Sequence, residues 1–281
     1  MRKILLLISG FVFLFSSVMV MKYRLELRSS AEYAENIAQM AVIPYPEQPV
    51  EQVIVKSAGV VSSHTVEETA VETIGGIQGG AAKEMAEKTP RVAPIQVDFK
   101  MLCEQNKDVV AWIYCPDTPI NYPVVQSADN EYYMHRTLDG RKSYPGTLFV
   151  DFRNSDDFSD WNTVIYGHNM LNGSMFGTLQ YYKQMPYFEL HSEIYLLTPK
   201  RNYVINILAG FVTTDDSELY GALRPDDAEK QRLMEKWLET AGVALKNCPA
   251  SDERLVTLST CSYEFDNARY VLMGTLEELS D

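Results

Sequence analysis

From Asp98 onward the chain alternates short apolar runs, rich in β-branched and aromatic residues, with polar turn-forming stretches. Runs at 111–114, 120–125 (INYPVV), 146–152 (GTLFVDF), 162–168 (NTVIYGH), 193–199 (EIYLLTP), 202–212 (NYVINILAGFV), 254–261 (RLVTLSTC) and 268–276 (ARYVLMGTL) predict strands. Helical spacing appears twice. Phe99, Leu102 and Val109 share a helical face within 97–115 before the pattern turns to strand. Residues 225–242 (PDDAEKQRLMEKWLETAG) carry acids in the first turn, Leu233, Trp237 and Leu238 on one face, and Gly242 as a stop. Many short strands with few helices predict a mostly β fold, a mostly antiparallel β-barrel carrying helical additions.

Upstream the texture differs. Residues 4–21 (ILLLISGFVFLFSSVMVM) contain no charge and follow Arg2 and Lys3. In a helix they would rise about 27 Å, close to the hydrocarbon thickness of a bilayer. A membrane anchor with its flanks over 1–28 is the expectation. A cleaved signal peptide is the alternative, but its apolar region is usually shorter, and no small-x-small cleavage site follows here. Arg2 and Lys3 on one side, with Lys22, Arg24 and Arg28 on the other, leave the orientation open. Residues 29–97 include IPYPEQPVEQ and GGIQGGAAKEMAEKTPRVAP and read as a stalk, partly helical at first and then punctuated by Pro and Gly. The folded domain is expected over 98–281.

Composition narrows the function classes. A chain of 281 residues can bury a substantial core, and its net charge of −13 argues against nucleic acid as a partner, because phosphate binding needs a concentrated basic surface. The four cysteines (Cys103, Cys115, Cys248 and Cys261) form no CxxC pair and no dense framework, so neither a disulfide scaffold nor a zinc site is indicated, and no cofactor is implied. Cys103, Cys115 and Cys248 read as structural.

Cys261 stands apart. It closes the first of two strands joined by a short loop, and Arg269 opens the second, so an antiparallel hairpin brings both to one end of the sheet. A guanidinium there favours a thiolate, or donates to an oxyanion formed by attack on a carbonyl. A cysteine nucleophile also needs a proton partner. Among the histidines, His64 lies in the stalk, and His135 and His191 fall at surface or helix-edge positions. His168 ends a strand behind Gly167, where the missing Cβ allows close approach. The same residues admit a bland reading: a lone cysteine is more often a small buried hydrophobe, and Arg269 an ordinary surface charge.

The residues also resemble a known family. TLSTC at 257–261 with the downstream Arg269, and IYGHNM at 165–170, are similar to the catalytic motifs of sortases, membrane-anchored transpeptidases of Gram-positive bacteria. The segment DVVAWIYCPDTPINYPVVQSADNEYYM resembles the opening of their catalytic domain, and the likeness runs over about 98–276. The helix at 225–242 and the TLSTC form point to class B. The resemblance implies a closed β-barrel of about eight strands, with an N-terminal helix and a long helix before the penultimate strand. It implies Cys261 as nucleophile, His168 as general acid/base, and Arg269 as the group that positions substrate and stabilises the oxyanion. Ser259 and Tyr166 would line the substrate groove, together with Asn130 and Tyr220.

The implied reaction cleaves a C-terminal sorting signal of NPxTx or LPxTG type after Thr, and passes the thioacyl group to an amine of a peptidoglycan precursor. The implied topology has the N-terminus in the cytoplasm, residues 4–21 in the membrane and the catalytic domain outside. Three alternatives stand beside it: a pilin polymerase whose acceptor is a pilin Lys, a cysteine hydrolase, and a membrane-tethered scaffold with an inert cysteine. The papain-like signature around the cysteine is absent, which disfavours the hydrolase. In the folded protein, Cys261 should react with a methanethiosulfonate far faster than Cys103, Cys115 or Cys248; equal labelling of all four, read by mass spectrometry, would leave only the scaffold.

Overall fold

The structure is a computed structural model that describes residues 2–44, 91–244, 249–250 and 252–280, without the side chains of 2–8, Pro44 and Ala244. Helix α1 runs from Arg2 to Ala41, followed by β1 (Val42–Pro44), β2 (Ile95–Val97), α2 (Phe99–Gln105), β3 (Val109–Tyr114) and β4 (Asn121–Val125). Then come β5 (Leu148–Val150), β6 (Asn162–Tyr166), α3 (Met185–Leu190), β7 (Glu193–Leu197) and β8 (Asn202–Thr214). Helix α4 (Asp227–Thr240), β9 (Val243–Ala244), β10 (Leu255–Cys261) and β11 (Ala268–Glu278) complete the order. Each run expected to be a strand is one. The first helical pattern is shorter than expected: α2 ends at Gln105, where Asn106 turns to extended backbone, and Val109 already opens β3.

The strands run β11-β10-β6-β5-β4-β3-β7-β8, and β11 also pairs with β8, so the sheet closes on itself as an eight-stranded barrel with β9 as a short appendix on β8. Closure leaves no long sheet edge. The barrel is mixed rather than purely antiparallel, because β4–β5 and β6–β10 pair in parallel. The main core fills it with Ile113, Val124, Leu148, Ile165, Phe176, Tyr182, Leu258 and Leu272 among others, all essentially inaccessible. A second cluster lies under α4, where Leu233, Met234 and Trp237 pack against Val164, Phe211 and Val271, and Trp161 stacks on Trp237 with centroids 5.9 Å apart.

The expected stalk does not begin where the sequence placed it. Helix α1 continues to Ala41 and buries Ile37 and Ala41 against Leu102, Trp112 and Val204, and β1 then pairs antiparallel with β2. The packed body therefore starts upstream of residue 98. Residues 45–90, with His64, and Cys248 lie outside the described residues. Residues 4–21 form the first half of α1, and among the described residues no helix is long and apolar enough to cross a membrane.

Helix α4 covers one flank of the barrel, capped by the Asp226 carboxylate on the Glu229 N–H. Trp237 is its largest buried side chain, so Trp237→Ala should cost roughly 3–5 kcal/mol in denaturant unfolding; a loss under about 1 kcal/mol would mean that α4 is an ornament.

Candidate active site

Strand register assembles the site. β10 is flanked by β11 on one side and β6 on the other. The antiparallel ladder sets Cys261 opposite Arg269. The parallel ladder sets Ser259 opposite Tyr166 and is prolonged by the Gly167 N–H donating to the Ser259 carbonyl at 3.1 Å. Two residues further along both strands, Cys261 and His168 occupy equivalent positions. In-register neighbours share a sheet face, and adjacent strands lie about 4.8 Å apart. His168, Cys261 and Arg269 thus form a row across three strand ends, with the thiol in the middle.

Each member is held from behind. A Cβ at Gly167 would fall 2.3 Å from Leu148 and 2.7 Å from Phe176, so only glycine lets the chain carry His168 so close to the core. His168 Nε2 lies 2.8 Å from the Met134 carbonyl oxygen. A carbonyl only accepts, so Nε2 carries the proton in the neutral ring and Nδ1 is left to accept one. Burial lowers the His168 pKa below its ordinary value, with a smaller push from His135, while the bond to Met134 works the other way. The Cys261 carbonyl accepts from Asn169 Nδ2 at 2.9 Å and Gln180 Nε2 at 3.3 Å, which fixes the strand end. Arg269 pairs with Asp215 at 3.5 Å and donates from Nη1 to the Ala268 carbonyl at 3.1 Å.

The row opens into a groove of about 670 Å³ whose lining includes all seven residues singled out in the sequence: Cys261, His168, Arg269, Ser259, Tyr166, Asn130 and Tyr220. Tyr220 and Ser259 share a hydrogen bond of 2.8 Å, and the Tyr166 and Tyr220 rings stack with centroids 5.9 Å apart. Glu218 ties this wall to α4 through Lys236 at 2.6 Å and Arg232 at 3.3 Å. Asn130 plays a bracing part, its amide donating to Asp151 at 3.1 Å and accepting from the Phe152 N–H at 3.0 Å.

Sequence reasoning missed the hub of the wall, Asp151. This fully buried carboxylate accepts from Tyr166 Oη at 2.9 Å and from Arg153 at 2.9 and 2.7 Å, and Arg153 also donates to the Tyr220 carbonyl at 2.7 Å. The signal was present, since a carboxylate that ends an apolar strand run requires partners once buried. Asp215, beside Arg269, carried no such signal. His135 is exposed but sits against His168, and His191, expected at a surface or helix-edge position, caps the end of α3 and is buried there. Cys103 is half-buried, and burial pushes the Cys115 thiol up.

At Asp151, burial works to raise the carboxyl pKa, but the bonds from Arg153 and Tyr166 outweigh it and hold it below its ordinary value. Folded protein then binds fewer protons than unfolded protein in that range, so the stabilisation is complete above about pH 4 and drains as pH falls through the depressed value. Asp151→Asn should cost roughly 1–3 kcal/mol at pH 7, with the gap from the parent shrinking toward pH 3 in denaturant titrations.

The chain is similar to known proteins. The Sortase domain family matches residues 113–277. The Sortase B of Listeria monocytogenes is 35% identical over 185 residues, 65% of this chain and 75% of that protein. The solved Staphylococcus aureus sortase B–substrate complex superposes with a TM-score of 0.61 at 27% identity, over 65% of this chain and 85% of the other. A sortase B structure complexed with triglycine gives the same TM-score, 0.61, at 27% identity, over 65% and 86%. With its barrel, its strand-end row and these relatives, the chain belongs to the sortase family, in class B, and is a cysteine transpeptidase.

Proposed function

We propose that this transpeptidase uses Cys261 as nucleophile, His168 as acid/base and Arg269 as oxyanion partner, accepting a C-terminal sorting signal in the groove and passing the cleaved protein to an amine of a peptidoglycan precursor. The observation that carries this reading is the row of the three side chains along one edge of the groove. The Cys261 thiolate attacks the carbonyl carbon of the signal's Thr, and the carbonyl oxygen gains a negative charge beside the Arg269 guanidinium. Collapse forms the thioester, and the departing amine takes a proton from His168. The incoming amine then attacks the thioester, gives its proton to His168 and expels the thiolate, so protons and electron pairs balance over the two steps.

Burial favours the uncharged His168 ring. The Asp215 carboxylate and the Ala268 carbonyl orient the Arg269 guanidinium at the edge of the groove. A peptide donor and an amine acceptor are supported by the relatives, one solved as a substrate complex and another with triglycine. Signals of NPxTx or LPxTG type fit the family resemblance.

Tethering belongs to the same reading, with the N-terminus in the cytoplasm and the barrel outside. Phe11, Phe13, Leu14, Phe15, Val18, Met19, Val20 and Met21 all expose more than half their surface and surround α1 on every side, as a lipid-facing helix would. The described part of this stretch, 9–21, is shorter than a bilayer crossing of about 20 residues, and the sequence ILLLI extends it upstream.

A peptide panel (NPxTx, LPxTG and variants), offered with and without triglycine, tests the reading. The parent should yield a triglycine-linked product from one peptide class, with hydrolysis far slower, and Cys261→Ala should yield none at a nearly unchanged melting temperature. Transfer retained by Cys261→Ala would return the residue to the core.

A further inference from the structure

Near its middle, α1 leaves the apolar packing of its C-terminal half and touches the loop 143–146 instead. Glu26 Oε1 accepts from the Tyr144 backbone N–H at 3.1 Å, the Tyr23 and Tyr144 rings meet edge-on with centroids 5.4 Å apart, and Ser30 and Ser143 share a hydroxyl bond of 2.8 Å. These contacts add little to the fold. Tyr23 and Tyr144 are 41% and 45% exposed, whereas Ile37 and Ala41 carry the packing of α1 on the barrel.

What the loop does is visible on its other side. The rings of Tyr144, His135 and His168 lie nearly parallel, with centroids 5.2 Å (His135–His168), 5.9 Å (Tyr144–His168) and 6.0 Å (His135–Tyr144) apart. His135 Nδ1 meets the Tyr144 carbonyl oxygen at 3.2 Å, and the Ser143 and Thr147 N–H groups donate to the carbonyls of His135 and Tyr133, both at 3.0 Å. Gly146, at φ +63°, has the Met134 carbonyl oxygen only 2.4 Å from where a Cβ would stand. That same oxygen bonds His168 Nε2. The loop therefore presses on both things that orient the imidazole: the ring packed against its face and the carbonyl that fixes its tautomer.

We propose that Tyr144 is a positioning residue for His168, and that α1, through Glu26 and Tyr23, is the element that holds Tyr144 there. Resting on the assignment of His168 as acid/base, this makes the helix that leads into the barrel part of the catalytic apparatus. An imidazole free to rotate away keeps the groove intact but is aligned for proton transfer for less of the time. The deficit falls on turnover and spares peptide binding.

The test compares full-length Tyr144→Ala, Glu26→Ala, Tyr144→Phe and His168→Ala in detergent, measuring transfer of the preferred panel peptide to triglycine. Aromatic pairs of this kind are worth a factor of about 3 to 10 in an equilibrium, so kcat should fall about that much in Tyr144→Ala and by a smaller factor in Glu26→Ala. KM for the peptide and the melting temperature should hold at the parent's values, and Tyr144→Phe, which keeps the ring, should restore kcat. Parent-like kcat in Tyr144→Ala alongside an inactive His168→Ala would overturn the proposal while leaving the acid/base assignment in place. A fall in kcat matched by a fall in melting temperature would also overturn it, as would a rise in KM alone. Activity retained by His168→Ala would overturn the assignment itself.

Discussion

The pairing of β10 with two different partners is the constraint on which the site depends. Antiparallel to β11 and parallel to β6, the strand carries one ladder that fixes Arg269 beside Cys261 and another that ends at Ser259 and Tyr166, two residues before Cys261 and His168. A one-residue slip in either ladder would turn a member of the row to the opposite face of the sheet. The barrel guards against such slips in several ways. β11 is sandwiched between β10 and β8 along most of its length, and a bulge at Met273/Gly274 pins the β11–β8 register. Beneath the row, buried Thr257 donates to Asn162 at 2.8 Å across β10 and β6. Catalytic geometry here is a by-product of sheet register, supported by a core that tolerates no alternative.

Behind the row, polar groups do the work that packing cannot. The Asp151 carboxylate gathers Tyr166, Asn130 and Arg153 into one network, and Arg153 reaches on to the Tyr220 backbone. A buried carboxylate is tolerable only when its lone pairs are filled, so the network is as rigid as it is complete. One wall of the groove thereby becomes continuous from the turn at Asn130 to the cover provided by α4, through Tyr220, Glu218 and the Lys236 and Arg232 side chains.

Much of this was legible in the chain. Apolar, β-branched runs bounded by turn residues located the eight barrel strands, several of them buried on both faces, and acids followed by Leu233 and Trp237 located α4. The hairpin logic that joined Cys261 to Arg269 also holds in the structure. The pairing of β6 with β10 was beyond that logic, since a parallel partner nearly a hundred residues away leaves no local trace; the strand-end position behind Gly167 nominated His168, and family resemblance paired it with the thiol. The boundary at residue 98 misled for a different reason. Ile37 and Ala41 sit in a helix whose pattern is self-sufficient, and nothing in the intervening composition says that it folds back onto Leu102 and Trp112. Asp151 and Tyr144 escaped notice because their roles come from partners far away in sequence.

Barrel closure also has a temporal side. The strand that seals the sheet, β11, is the last of the barrel strands in chain order, and it is the sole strand that β8 and β10 have in common. A chain synthesised only as far as β10 possesses His168 and most of the core but lacks the ladder that seats Cys261 against Arg269. The hairpin ladder is local, but β6–β10 and β8–β11 join strands far apart in sequence, so the thiol has its full set of neighbours only once those pairings have repaid their entropy. The order of synthesis thus works as a safety catch: the Cys261 thiol meets its strand-end neighbours only once the barrel around it is whole.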